Sequence, residues 1–318
     1  MSLLHPPLKL IAVDMDGTLL NSNGRVSPRN AAALHAAEAA GIEIVVATGR
    51  RHCYAMHILR DLKLHHANAL VSSNGTVIRT IGADLLHRTH MPLSTAHWLC
   101  EHVTAFRSTL VITFDTVQPD GEDTRGAMVV EDIDQLHSSI GRWTIANEPY
   151  IAHIRPIEDA LQADPPIQMM LCGPIARMRE AEALLLQHPL VMPVGFETPV
   201  PHAEVTLHRT EYPERDLCIL DILPAGCSKA SALLHLAELR GISMAQVLAI
   251  GDNWNDVPML ELAGQAILMS NAPQDLKDFA QRRGWPIGPS NDEDGVAIAI
   301  QAAIGGVEAA TKTPEMVV

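Results

Sequence analysis

The chain has 318 residues, 47% of them apolar but only 3% aromatic, and a formal charge of −14. That length allows one large domain or two ordinary ones, with a core built from Ala, Leu, Val, Ile and Met. An acidic chain with few aromatics lacks the basic patches and stacking platforms of nucleic-acid binding, and no apolar stretch reaches the ~18 residues of a membrane span.

In chain order, residues 9–14 (KLIAVD) form a short apolar run of the kind a buried parallel strand gives. A polar excursion over 19–26 is long enough for a small hairpin flap. A helix follows, with Ser27 as N-cap, Pro28 at its first position and Gly41 closing it. The spacing then predicts a strand over 42–48, a helix near 51–62 and a strand over 68–73, and Asn74-Gly75 is a hairpin-turn signal. This βαβαβ order is that of a doubly wound parallel sheet, Rossmann-like in type.

From about 86 to 223 the pattern changes. A helix (93–105), strands (108–115 and 167–172), a second helix (175–187) and two more strands (203–209 and 216–222) predict an antiparallel sheet with helices on one face. Alternation resumes with a helix over 228–240, a strand over 247–252, a helix over 256–263, the strand AILMS, and helices near 273–283 and 295–304. The division expected is a discontinuous α/β core (1–85 and 224–305), an inserted α+β cap (86–223) and a disordered tail (306–318). Two neighbouring hinges, near 84–90 and 222–227, would let the insert move as a lid.

The cysteines at 53, 100, 172, 218 and 227 include no C-x-x-C pair, and the sixteen histidines show no H-E-x-x-H spacing. Free thiols in a reducing, cytoplasmic compartment are expected, without a disulfide framework or a zinc site. No leader sequence is read at the start, and no feature speaks to oligomeric state.

Open α/β sheets bind ligands beyond the carboxyl ends of their strands. Four clusters fall there: Asp14-Met15-Asp16-Gly17-Thr18, Thr48-Gly49-Arg50, the Lys229 helix start, and Gly251-Asp252-Asn253-Trp254-Asn255-Asp256. Each has an ordinary reading. The first could be a capped turn, Thr48-Gly49 a common strand end, Lys229 a solvated lysine, and Asn255 and Asp256 turn residues. Against that, two carboxylates ~4 Å apart repel by about 4 kcal/mol at an effective dielectric of about 20, which a cation would offset.

The stretches VDMDGTLL, ATGR, SSNGTVI, DILPAGCSKASAL, AIGDNWNDVPMLELAG and NDEDGVA, in this order, resemble the haloacid dehalogenase superfamily. Within it the chain is similar to the Cof-type phosphatases with a type IIB cap, over nearly its whole length. The resemblance implies a hydrolase of small phosphate monoesters, sugar phosphates being the usual class, acting through an aspartyl-phosphate. Asp14 is then the nucleophile and Asp16 the general acid and base. Asp14, Asp252 and the Asp16 carbonyl would hold the metal. An all-oxygen set favours Mg²⁺ over Zn²⁺. Met15, Thr48, Gly49, Lys229 and Asn255 would bind phosphate, with Asp256 orienting Lys229 or metal-bound water from behind. Gly17 permits the turn and Thr18 pins it. Arg50 faces substrate or forms a surface ion pair, and Arg125, His153, Arg155 and His202 are cap candidates. The expected partner is a small phosphorylated metabolite, not a nucleic acid or a membrane. Two other readings fit the same residues: a hexose phosphomutase, and a regulatory module phosphorylated on Asp14 without turnover.

Overall fold

The structure is a computed structural model. It describes residues 6–136, 140–162, 164–194 and 202–311, apart from the side chains of Arg142 and of 305–311. In chain order the elements are β1 (Leu10–Asp14), α1 (Pro28–Ala39), β2 (Glu43–Ala47), α2 (His52–Leu62) and β3 (Ala69–Ser72). Then come β4 (Val77–Thr80), β5 (Leu85–Arg88), α3 (Leu93–His102), β6 (Leu110–Thr113), β7 (Met128–Val130), α4 (Gly141–Asn147) and β8 (Ile151–His153). They continue with β9 (Gln168–Gly173), α5 (Ile175–Leu185), β10 (Val191–Pro193), β11 (Val205–Tyr212) and β12 (Leu217–Pro224). The last are α6 (Lys229–Arg240), β13 (Val247–Gly251), α7 (Val257–Leu262), β14 (Gln265–Met269), α8 (Gln274–Arg283), β15 (Ile287–Gly288) and α9 (Gly295–Thr311). The fold is mixed α/β, and the chain divides into two compact units, 1–48 with 58–71 and 229–318, and 49–57 with 72–228.

In the first unit the strands run β15-β14-β13-β1-β2-β3, all parallel. Every residue of β1 and β13 is buried, as central strands covered on both faces require. The strand order reverses between β1 and β13, so the carboxyl ends of these two strands, Asp14 and Gly251, flank the topological switch point. Helix α1 begins as its sequence dictates. Ser27 accepts from the Asn30 amide at 3.0 Å, Pro28 takes the first helical position, and Gly41 (φ +78°) ends the helix with the Ile42 amide bonded to the Ala37 carbonyl.

The 19–26 excursion is a small hairpin. Leu20 bridges Val26, and the Asn21 amide meets the Arg25 carbonyl at 2.9 Å. The NDEDG segment before α9 clasps it: Asp292 accepts from both the amide and the hydroxyl of Ser22, Asp294 accepts from Ser27, and the Asn291 side chain donates to the Leu20 carbonyl. Helix α9 runs on to Thr311, longer than its periodicity predicts; 312–318 lie outside the described residues.

In the second unit a sheet of order β10-β11-β12-β9-β6-β7-β8 is antiparallel except at its two outermost pairs. The expectation of helices on one face is incomplete. Period-two alternation sends Leu110, Ile112, Met169, Leu171, Leu220 and Ile222 into a core shared with α3 and α5. It also sends Val111, Met128, Cys172 and Leu217 into a second core, against which Trp143 of α4 packs. Strands β7, β8 and β10 have three residues each, too few for alternation to register. The strand expected over 108–115 shortens to Leu110–Thr113, because residues 104–109 wind into a 3₁₀ turn.

Asn74-Gly75 lies, as expected, in the short turn between the neighbouring strands β3 and β4. Ser73–Gly75 is a 3₁₀ turn with φ of +48°, +52° and +97°. Asn74 is held there by donating to Asp221 at 2.9 Å, while Gln168 donates to the other oxygen of that carboxylate. β4 and β5 pair antiparallel, and Asp115 accepts from Arg79 and Arg88 at 2.8 and 2.9 Å. The Arg79 side chain is only 7% exposed, so removing its partner strands a charge. Asp115→Ala should therefore lower unfolding free energy by about 3–5 kcal/mol, read as a shift of the urea midpoint at unchanged slope.

Candidate active site

Three buried carboxylates, those of Asp14, Asp252 and Asp256, have oxygens within 4.8 Å of one another. Asp14 ends β1, and Asp252 follows β13, the adjacent parallel strand. Asp256 closes the 3₁₀ turn Trp254–Asp256 that leads into α7. The Lys229 ammonium, at the first residue of α6, lies between two of the three. It donates to Asp14 Oδ1 at 2.5 Å and to Asp256 Oδ1 at 2.7 Å, with the lysine side chain 1% exposed. The solvated lysine that was the ordinary reading of this position is thus replaced by a buried one.

Each remaining carboxylate oxygen but one has a defined role. Asp256 Oδ2 accepts from the amides of Asp252 and Asn253 at 3.0 and 3.1 Å. Asp252 Oδ1 accepts from the Thr18 hydroxyl at 2.8 Å, so Thr18 bonds across to the neighbouring strand and does not simply pin its own turn. Asn271, after β14, donates to the Gly17 carbonyl at 2.8 Å and approaches Asp252 Oδ2 at 3.4 Å. The exception is Asp14 Oδ2, buried and without a hydrogen-bond partner.

Two glycines make the packing possible. Gly17 sits at φ +84°, and a β-carbon there would strike the Asp252 carboxylate. A β-carbon at Gly251 would come within 2.6 Å of the Asp256 β-carbon.

Burial first, then repulsion from Asp256, pushes Asp14 well above the ordinary carboxylate range against the pull of Lys229. Asp252 is pushed up to about 7, again by burial first and then by Asp256. At Lys229 burial favours the neutral amine, but Asp14 and Asp256 together outweigh it and hold the ammonium charged. With all four groups ionised the cluster carries a net −2, the charge that one divalent cation cancels. The donor set is all oxygen, which suits a hard ion.

The other expected residues fall as follows. Asp16 is exposed, and its carboxylate is not among the three clustered ones. Met15 and Thr48 are buried, and the Thr48 amide bonds to the Val71 carbonyl. Asn255 is half-buried within the 3₁₀ turn. Gly49 and Arg50 belong to the second unit. There, a β-carbon on Gly49 would press on Asn74, and Arg50 stacks 4.6 Å over the Tyr54 ring. Arg125 and Arg155 are exposed and paired with Glu148 and Glu131, and His153 and His202 are exposed.

Two site residues escaped the sequence reading. Asn253 is the N-cap of the 252–256 turn, in a reciprocal capping box with Asp256. Its signal was present as an Asn three residues before an Asp. Asn271 follows a strand end, as Asp14 and Asp252 do, but a lone Asn in SNAP reads as a turn.

Lys229→Met leaves the Asp14 and Asp256 carboxylates buried and facing each other. It should destabilise the protein by about 3–5 kcal/mol near neutral pH. The loss should shrink as pH falls, because Asp14, already raised by burial, then takes up a proton in place of the missing ammonium; urea midpoints across a pH series measure both effects.

The family model of haloacid dehalogenase-like hydrolases matches residues 11–159 and 207–300, on both sides of the change in pattern. A Bacillus subtilis relative, 5-amino-6-(5-phospho-D-ribitylamino)uracil phosphatase YwtE, is 29% identical over 312 residues, which span 94% of this chain and 99% of its own. Phosphatase YwpJ from the same organism is also 29% identical, over 91% of this chain and 98% of its own. Among solved structures, a haloacid dehalogenase-like hydrolase from B. subtilis superposes with a TM-score of 0.72 at 26% identity, covering 92% of this chain and 99% of that one. With its carboxylates gathered at the switch point of a parallel sheet and the family's pattern matched over most of its length, the chain belongs to the haloacid dehalogenase-like hydrolases.

Proposed function

We propose that this hydrolase is a Mg²⁺-dependent phosphatase of small phosphate monoesters, sugar phosphates among them, working through an aspartyl-phosphate on Asp14. The observation that carries the reading is the asymmetry of Asp14: Lys229 holds Oδ1, while Oδ2 is buried with no hydrogen bond of its own. One oxygen is anchored and the other keeps its lone pairs for an incoming electrophile or ion. The relatives named as phosphatases point the same way.

In this reading Asp14 attacks phosphorus, the ester oxygen departs, and Asp16 gives it a proton. Asp16 then takes a proton from the water that attacks the acyl phosphate, releasing inorganic phosphate and restoring Asp14. Its exposure suits a group that must meet both a leaving group and solvent. Lys229, the amides of Met15 and Gly49, the Thr48 hydroxyl and Asn255 would stabilise the equatorial phosphoryl oxygens, where phosphoryl transfer most needs help. Asp14, Asp252 and the Asp16 carbonyl would hold Mg²⁺, which when bound offsets the repulsion between carboxylate and phosphate. Asp256 orients Lys229 and, through two amides, the start of the 252–256 turn. The cap boundaries (86–223) and an intracellular, cytoplasmic setting belong to the same proposal.

A panel of phosphorylated metabolites should show phosphate release that requires Mg²⁺ and falls at least a thousandfold in Asp14→Asn, about 4 kcal/mol of transition-state stabilisation. Release at the wild-type rate from that variant would remove Asp14 from the chemistry. Transfer of phosphate within a hexose, without release, would mark a mutase.

Cation binding should also depend on pH. Because the folded-state pKa of Asp252 is raised, the ion-free protein gains stability from this group at low pH and loses that gain as pH rises through about 7. A divalent ion must displace the proton, so the Mg²⁺-induced rise in melting temperature should be small at about pH 5 and larger at about pH 8.

A further inference from the structure

A second group of metal-ligating side chains, sharing no residue with the carboxylate site, belongs to the second unit: Cys53 and His57 of α2, and Glu122 in the loop between β6 and β7. The Cys53 thiol donates to Glu122 Oε2 at 3.0 Å, and its sulfur is 3.8 Å from His57 Nε2. One atom from each residue lies within 4.8 Å of the others. A tetrahedral Zn²⁺ site, with Zn–S about 2.3 Å and Zn–N or Zn–O about 2.0–2.1 Å, has sulfur-to-ligand edges of about 3.5 Å. The observed separations bracket that value. Cys53 and His57 are one helical turn apart, which places both on one face of α2.

The surroundings hold the third ligand in place. Asp123, next to Glu122, forms a buried ion pair with Arg51, two residues before Cys53. Arg51 also donates to Asn147 at 2.6 Å and lies 5.3 Å over the Tyr150 ring. The Tyr150 hydroxyl donates to Glu122 at 3.0 Å, the kind of outer contact that orients a ligating carboxylate. Cys53 is buried and His57 exposed, so the group has a closed side and an open one.

We infer that Cys53, His57 and Glu122 form a binding site for a borderline-soft divalent cation, Zn²⁺ or its substitute Co²⁺, with a water completing the tetrahedron. Binding expels the thiol proton to solvent. The sulfur, now a thiolate, the neutral His57 imidazole and the Glu122 carboxylate each donate a lone pair. Nothing is oxidised or reduced. Burial first, and then the Glu122 hydrogen bond, hold the Cys53 thiol protonated in the ion-free protein. The occupied site would tie the first turns of α2 to the 115–126 loop. The sequence hid it because the ligands follow neither C-x-x-C nor H-E-x-x-H, and Glu122 lies far along the chain from the other two.

Co²⁺ titration of the full-length protein tests this. The near-ultraviolet charge-transfer band of a thiolate–Co²⁺ bond requires sulfur, which the oxygen-only carboxylate site lacks. The band should saturate at one ion per chain, and should survive in the Asp14→Asn/Asp252→Asn double variant. It should vanish in Cys53→Ser. In His57→Ala, a change at an exposed position, half-saturation should move to about tenfold higher Co²⁺ or more. Failure of the band to form in the wild-type protein, its persistence in Cys53→Ser, or an unchanged titration in His57→Ala would each overturn the site. The result is independent of phosphatase activity, so it stands or falls separately from the function proposed above.

Discussion

The buried Lys229 ammonium is the constraint around which the first unit is arranged. It touches Asp14 and Asp256 at 2.5 and 2.7 Å. At an effective dielectric of about 20, each such contact is worth about 6 kcal/mol of attraction. Desolvating three ions costs several kcal/mol each, so the two sides come close to balance. The triad is therefore a poor source of stability and a good source of position. It fixes where the β1 carboxylate stands relative to the turn after β13, while Asp252 forms no direct ion pair with Lys229 and feels it only at longer range. Burial first, and then repulsion from Asp256, raise both Asp14 and Asp252 above the ordinary carboxylate range.

From that centre, order passes outward through hydrogen bonds. Asp256 grips two amides of the β13 turn, Thr18 ties the β1 loop to Asp252, and Asn271 ties the β14 end to Gly17. The Asn271 side-chain oxygen then receives the Asn291 amide at 3.1 Å, and Asn291 reaches the flap at Leu20. Four separate stretches of sequence are bound to one another by side chains that are mostly neutral amides and hydroxyls. Positional precision of this kind is what the displacement proposed above demands, since small misplacements of the attacking group are expensive.

The sheet core was legible because its strands are continuous apolar runs ending in unusual polar residues, and because Ser27, Pro28 and Gly41 frame α1 in the way helix ends require. Asp14, Lys229, Asp252 and Asp256 could be singled out for the same reason: each interrupts a pattern. What stayed hidden was of two kinds. The three-residue strands β7, β8 and β10 are shorter than the period that would reveal them. Asn271 and the Cys53–His57–Glu122 group depend on partners chosen by the tertiary fold, so no local spacing announces them. Asn74-Gly75 lies in the turn that its sequence signals, and a bond from Asn74 to Asp221, in another strand, adds a tertiary anchor to it.

Strand β1 pairs with β13, whose first residue, Val247, lies opposite Leu10. During synthesis, then, β1 leaves the ribosome long before one of its two central neighbours exists. Until residues 229–256 follow, Asp14 has neither its lysine nor its companion carboxylates, and one apolar edge of the nascent sheet stays open. The nearly continuous stretch 72–228 supplies its own two cores and can mature in the meantime. The order of translation thus leaves Asp14 without its charged partners until the last third of the polypeptide has emerged, and it makes the interval before β13 arrives the stage at which a chaperone would have most to shield.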